Sequence, residues 1–218
     1  MTELPTSDAD WAASQEQAVL IAAVRHVPRL GWTARSLALG ARQAGLSAAD
    51  CQLLLPGGPR DLAALLSQHH DREALEALRA LDPTTLKIRQ RIREGVIARC
   101  DVAMRDEAAV RRWTGFLALP TNISLGLRLA WASSDGLWRW AGDTATDENH
   151  YSKRVLLAEI LVSTLAIRLT GTRRAAEAHL DRRIDAVMAF ERWKGRLGKR
   201  DNLAQAARWL GRLRYGAN

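Results

Sequence analysis

The segment that decides the fold reads DGLWRWAGDTATDENHYSKR and spans residues 135–154. It holds two tryptophans, then a break at Gly142, then acidic residues, then Tyr151 and a basic pair. A mostly apolar run, residues 117–131, precedes it, and a more apolar run, residues 155–169, follows it. Glycine and clustered polar residues between two apolar runs predict a helix–loop–helix corner. On composition alone, the aromatic side chains of this corner would fill a core.

The order of residues in this segment is more specific than its composition. The informative positions are Trp138, Ala141, Gly142, Asp143, Thr146, Asp147, Asn149, Tyr151, Lys153 and Arg154, preceded by Leu119, Pro120, Asn122 and Ile123. At these positions the chain resembles the TetR-like accessory proteins of ubiquinone (coenzyme Q) biosynthesis, the Coq-nine family, over roughly residues 17–190. It departs at His150, where that family usually has Trp.

The resemblance implies an all-α, TetR-repressor-like fold and a non-catalytic accessory protein. Such a protein would hold an isoprenoid or quinone intermediate in an apolar pocket and present it to the demethoxyubiquinone hydroxylase at the membrane. It would form a homodimer through its later helices. The implied lipid-binding residues are Ile123, Leu127, Trp131, Leu157, Ile160, Leu161 and Thr164. The implied partner-binding residues are Asp135, Leu137, Trp138, Asp147, His150, Tyr151 and Arg154.

Composition agrees with one folded helical protein. Charged residues make up 26% and hydrophobic residues 47% of the 218 positions, which excludes a disordered chain. The near absence of alternating β-branched runs predicts helices rather than strands. The two cysteines, Cys51 and Cys100, lie far apart and are interpreted as buried thiols of a reducing compartment.

The amino-terminal part, residues 1–60, has the spacing of a helix-turn-helix bundle. We expect a first helix from Ser14, a second capped by Thr33 and stopped at Gly45, and a third capped by Ser47. The alternative function is therefore a TetR-type transcriptional repressor that senses a hydrophobic ligand. The third helix contains no Lys or Arg, and residues 1–80 carry 7 basic against 9 acidic side chains. DNA phosphates need several cationic contacts, so we expect no nucleic-acid binding.

Residues 61–194 are expected to form the larger, lipid-binding and dimerising bundle. Within it, residues 155–169 are apolar on nearly every side of a helix, which predicts a helix that is buried all round. The pair His69–His70 has no Cys or second His pair nearby, so we interpret both as solvated side chains rather than metal ligands.

Positive charge collects in residues 173–218, with 12 basic and 5 acidic side chains. There, residues 199–215 predict an amphipathic helix that binds an anionic membrane surface. The alternative is that this helix docks on its own domain. The residues expected at the membrane are Leu203, Ala206, Arg208, Trp209, Leu210, Arg212 and Leu213.

No nucleophile elbow, phosphate-binding glycine loop or zinc-binding helix occurs in the sequence. We therefore expect no enzyme activity and no cofactor other than a bound lipid or quinone intermediate. The acidic amino terminus lacks the features of a signal or transit peptide. This favours the bacterial cytoplasm, with the protein peripheral on the inner face of the cytoplasmic membrane.

Overall fold

The computed structural model describes the backbone of residues 8–143 and 148–189, and the side chains of residues 10–143 and 151–189. Every regular element in these ranges is helical, which confirms the all-α prediction. The helices are α1 (Asp8–Val24), α2 (Val27–Leu30), α3 (Ala34–Gln43), α4 (Ala48–Leu54), α5 (Pro59–Ala77), α6 (Ile88–Ala103), α7 (Glu107–Leu117), α8 (Ile123–Trp140), α9 (Glu148–Thr170) and α10, followed over residues 173–189. The predicted membrane helix, residues 199–215, lies outside the described ranges.

The helix starts predicted at Thr33 and Ser47 are confirmed. The Thr33 hydroxyl accepts a hydrogen bond from the backbone N–H of Ser36, and the Ser47 hydroxyl accepts one from Asp50. Gly45, the residue predicted to stop the helix capped by Thr33, lies two residues beyond the last residue of α3. Its φ is 79°, a left-handed conformation that costs glycine little. The prediction for α1 was wrong, because the described helix already includes Asp8 and Ser14 lies inside it. Ala12 and Ala13 have the highest helix propensity, which favours continuation of the helix on the amino-terminal side of Ser14.

Helix α4 occupies the position of the expected recognition helix. Its single charged residue is Asp50, and Leu53 is 81% exposed to solvent. The TetR likeness and the absence of nucleic-acid binding both stay predictions.

Helices α1 and α3 pack at unusually close range. A Cβ added at Gly40 would lie 2.6 Å from the Cβ of Ala23, closer than real Cβ atoms approach. We expect Gly40→Ala to lower the free energy of unfolding by about 1–3 kcal/mol, because the two helices must separate. Urea unfolding followed by circular dichroism measures this. The control is Gly115→Ala in α7, where nothing lies within 4 Å; it should stabilise by about 0.5–1 kcal/mol. Equal effects at the two glycines would contradict close packing as the cause.

The larger bundle, which follows α4, is built around α5. Helix α5 packs against α6 and α8, and α8 packs against α9. The buried side chains include Leu62, Leu66, Val96, Leu157 and Leu180. The prediction that residues 155–169 form a helix buried on every side was wrong for α9. Its Leu157 face is buried, but Val155 and Val162 are more than half exposed. Within residues 8–143 and 148–189 nothing covers this second face, and the homodimer stays a prediction.

The interpretation of His70 as a solvated side chain was wrong. It is buried and its Nε2 lies 3.3 Å from Oδ2 of Asp106. Burial lowers the pKa of His70 below its usual value despite this carboxylate. Among the described residues, no group of three potential ligands is arranged to hold a metal ion. Within the same part of the chain, no helix is long and apolar enough to cross a membrane.

Candidate functional site

An apolar cavity of about 440 Å³ lies between α7, α8 and α9, with α5 and α6 at its inner end. This volume is within the range of about 300–1,000 Å³ that is usual for small-molecule sites. The side chains around it are Ser67, Arg99, Cys100, Arg111, Trp113, Thr114, Leu117, Ala118, Ile123, Gly126, Leu127, Leu129, Ala130, Ser133, Leu161, Val162, Leu165, Ala166, Leu169 and Thr170. Most of these groups are apolar, so the cavity suits an apolar molecule.

The inner end of the cavity is polar and buried. Arg99 is 3% exposed, and Ser67 and Ser133 are also buried. The Nε of Arg99 donates to Oδ1 of Asp71 at 2.6 Å, and the Ser133 hydroxyl donates to the same oxygen at 2.7 Å. The charge of this guanidinium is therefore balanced by one carboxylate, as a buried ion requires.

The outer end of the cavity is apolar and open. Leu127 is 68% exposed, and Ile123 and Val162 are about half exposed. These three side chains come from α8 and α9, and they form the mouth of the cavity. The cavity therefore runs from an apolar mouth at the surface to a polar, charge-neutral interior.

The predicted lipid-binding residues divide between several places. Ile123, Leu127 and Leu161 line the cavity. Leu157 and Ile160 instead line a second groove of about 320 Å³ between α6, α9 and α10. Thr164 lies beside a small void next to α10. Trp131 lies against the ring of Tyr151.

The reason for this division is helical geometry. At 3.6 residues per turn, positions 157, 160 and 164 share one side of α9, while positions 161, 162, 165 and 169 face α8 and the cavity. The family resemblance implied that these apolar residues of α9 line one pocket, and it did not distinguish the sides of the helix. Arg99 was not predicted, although its position on the apolar stripe of α6 was an available signal.

The corner between α8 and α9 is held by a network of ion pairs around Arg154. This side chain is 2% exposed, and its Nε donates to Oδ1 of Asp135 at 2.6 Å. Its Nη1 donates to Oδ2 of Asp143 at 3.2 Å, and Lys153 Nζ donates to the other oxygen of Asp143 at 2.6 Å. Trp138 adds a hydrogen bond from its indole N–H to the Lys153 carbonyl. The acidic and basic residues that flank the turn thus tie the two helices together.

This geometry changes the expected partner surface. Leu137 and Arg154 are buried, so neither presents its side chain to a partner in this conformation. Tyr151 is 64% exposed and contacts the ring of Trp131, with centroids 5.9 Å apart. Trp138 is partly buried beneath the Lys153 ammonium. Asp147 and the side chain of His150 lie outside the described residues. The surface part of the expected patch therefore centres on Tyr151.

The ion-pair network predicts a loss of stability in acid. Burial acts to raise the pKa of Asp135 and of Asp143, but hydrogen bonds and charge from Arg154 and its neighbours outweigh it and lower both. A lowered folded-state pKa means stability that is present above the unfolded value, about 3.9, and lost as pH falls through the folded-state value. We therefore expect the urea midpoint to fall from about pH 5 downward.

The matched variant is Asp143→Asn, which removes one of the two titrating carboxylates. It should give a shallower fall of the urea midpoint between pH 5 and pH 3, because less proton uptake accompanies unfolding. A slope identical to that of the unchanged protein would show that Asp143 does not carry this dependence.

The corner and the cavity walls on α8 and α9 lie in the part of the chain that matches a known family. The family model described as COQ9 matches residues 123–191, which contain α8, α9 and α10.

Three curated relatives share the name ubiquinone biosynthesis protein COQ9, mitochondrial. The Xenopus tropicalis protein is 32% identical over 167 residues, 71% of this chain and 50% of the relative. The Homo sapiens protein is 31% identical over 152 residues, with coverages of 67% and 48%. The Rattus norvegicus protein is 30% identical over 179 residues, with coverages of 78% and 57%. The chain thus spans about half the length of the curated relatives it matches.

Proposed function

The chain belongs to the COQ9 family, and on that premise we propose that it is a non-catalytic, lipid-binding accessory protein of ubiquinone biosynthesis. It holds an isoprenoid or quinone intermediate in the cavity between α7, α8 and α9. It presents that molecule to the demethoxyubiquinone hydroxylase at a membrane surface, on the inner face of the bacterial cytoplasmic membrane.

The observation that carries this proposal is the apolar cavity of about 440 Å³. Its mouth is built from Ile123, Leu127 and Val162, which are exposed apolar side chains on adjacent helices. Exposed apolar groups beside a cavity are typical of a site that receives an apolar molecule. The cavity walls on α8 and α9 also fall within the residues that match the family model.

The proposed role is non-catalytic because the acids of the corner already have partners. Asp135 and Asp143 are paired with Arg154, and their lowered pKa values keep them ionised and poorly suited to donate a proton. Their function in this proposal is to fix the angle between α8 and α9, which sets the shape of the cavity and the position of Tyr151.

The contacts with membrane and partner complete the proposal. Residues 199–215 bind an anionic membrane through their apolar face and arginines, and a homodimer forms through the exposed side of α9, which includes Val155. Tyr151 lies at the corner where the hydroxylase binds.

The test is mass spectrometry of organic extracts from the purified protein. An isoprenoid or a quinone intermediate should be enriched over extracts of an unrelated protein of similar charge prepared in parallel. A protein that is reproducibly free of such molecules, from cells that synthesise ubiquinone, would refute the proposal.

Truncation of the exposed aromatic side chain tests the partner surface. We expect Tyr151→Ala to weaken binding to the hydroxylase roughly tenfold or more, because truncating an interface hot spot costs about 2 kcal/mol. Surface plasmon resonance with the immobilised hydroxylase measures the affinity. The control is Gln52→Ala, an exposed position on α4 that lies outside both the corner and the cavity. If both variants bind as well as the unchanged protein, the corner is structural and the hydroxylase binds elsewhere.

A further inference from the structure

We propose that Arg99 selects the polar end of the bound molecule, and that it favours an uncharged carbonyl group over a carboxylate or phosphate. The residue acts from the inner end of the cavity, so the polar end of the ligand enters first and the apolar chain fills the mouth. This inference rests on the proposed function, because it requires that a lipid occupies the cavity.

The first support is the direction of the cavity. Arg99, Ser67 and Ser133 line it at less than one-twentieth exposure, whereas Leu127 and Val162 line its open end. An amphiphile that entered with its apolar chain first would place hydrocarbon against the buried Arg99 guanidinium and leave its donors facing neither water nor a ligand acceptor. Burying polar groups without partners is unfavourable, so the opposite orientation is preferred.

The second support is the set of donors that Arg99 has left. A guanidinium carries five N–H donors. Within the described residues, Nε donates to Asp71 and Nη2 lies 3.5 Å from the Ser67 hydroxyl, at the outer limit of a hydrogen bond. No acceptor in this part of the chain is recorded for Nη1. A charged donor at the wall of an apolar cavity gains from a ligand acceptor, because a hydrogen bond to a charged donor is stronger than one between neutral groups.

The third support is the charge at the inner end. The Arg99 and Asp71 charges cancel, so this end is neutral as a whole. The other cation of the cavity wall, Arg111, is paired with Glu107 at 2.7 Å. An anionic head group would therefore bring an uncompensated charge into a low-dielectric site, which is costly. A ketone, quinone or ester oxygen accepts the free N–H without adding charge.

The experiment compares three probes of equal chain length on the delipidated full-length protein: dodecan-2-one, dodecanoate and dodecane. Displacement of a bound fluorescent apolar dye measures each affinity. We expect the ketone to bind roughly tenfold more tightly than either of the others, as one hydrogen bond to a charged donor predicts. Dodecanoate that binds as tightly as the ketone, or more tightly, would overturn the inference.

Variants then assign the preference to the residue. Arg99→Lys keeps the charge opposite Asp71 but removes the planar fork, so the preference for the ketone should shrink while dodecane binds unchanged. The control is Arg93→Lys, which lies on the same helix outside the cavity. If Arg99→Lys does not fold, Ser67→Ala provides a second variant: it frees Nη2 of Arg99 for the ligand, so the preference for the ketone should persist or increase. Loss of the preference in Ser67→Ala would contradict Arg99 as its source. An undiminished preference in a folded Arg99→Lys protein would refute the role of Arg99.

The outcomes also separate this inference from the proposed function. Equal binding of all three probes would mean that the cavity binds apolar chains without selectivity for the polar group. The role of Arg99 would then be refuted, and the proposed function would stand. If none of the three probes displaces the dye, the cavity does not take lipid-like chains and the proposed function fails as well.

Discussion

Arg154→Met should lower the free energy of unfolding by about 3–5 kcal/mol, the largest effect that we expect from any single substitution in this chain. Arg154 is 2% exposed and lies between the carboxylates of Asp135 and Asp143. Its removal leaves Asp143, itself buried, with Lys153 as its remaining partner. A buried carboxylate without adequate compensation is costly because it has lost its hydration. Urea unfolding at pH 7 measures the change.

The control for this substitution is Arg139→Met. Arg139 pairs with the same Asp135 at 2.8 Å, but its side chain is 74% exposed. An exposed ion pair contributes less than about 1 kcal/mol, so this variant should unfold almost like the unchanged protein. If the two variants were equally stable, the buried network would not hold α8 against α9. In that case Arg154 would be available for the partner contact that the family resemblance implies.

This network of ion pairs was not predicted from the sequence. The family resemblance of residues 135–154 singled out Asp135 and Arg154, and it implied that both lie on a partner surface. Acidic residues before the turn and basic residues after it were the signal for pairing across the corner. Their burial depends on how α8 and α9 meet, and that contact is set by side chains far from the turn. A local pattern therefore located the corner correctly but did not show which of its residues face inward.

The caps at Thr33 and Ser47 were predictable because each depends on residues three positions apart. Arg99 and His70 are different, because the partners of these two buried side chains lie on other helices or loops, far away in the sequence. Arg99 follows Ile92 and Val96 on the buried face of α6, and His70 follows Leu62 and Leu66 on that of α5. Their helical spacing predicts burial, and a buried Arg needs an acidic partner. Which acid supplies it is decided by the packing of α5 against α6, which one helix does not encode.

The same limit applies to the cavity. The apolar composition of α9 indicated that it would bury most of its side chains, and the helix has enough apolar surface to serve two neighbours. The structure uses one side for the cavity and another for the groove beside α10, while Val155 stays exposed. Predicting that division requires the positions of α6, α8 and α10 relative to α9.

Ala130→Trp should reduce the lipid that co-purifies with the protein by roughly tenfold, equivalent to about 1.4 kcal/mol of lost binding. Ala130 lies in the cavity wall on α8, and an indole at this position fills space that the apolar chain would occupy. Because the new side chain enters a cavity instead of a packed core, the free energy of unfolding should change by less than about 1.5 kcal/mol. Mass spectrometry of organic extracts, normalised to protein, measures the lipid.

The matched control is Ala132→Trp, two residues along the same helix, where the side chain is exposed and outside the cavity wall. It adds the same indole to the same helix, so it corrects for any general effect of a new aromatic group on lipid carry-over. The unchanged protein and Ala132→Trp should carry equal amounts of lipid. Retention of lipid by a folded Ala130→Trp protein would place the bound molecule elsewhere, and the groove between α6, α9 and α10 would become the site to block next. Loss of lipid in Ala130→Trp alone would assign the bound molecule to the cavity between α7, α8 and α9, since the two variants differ only in which side of α8 carries the indole.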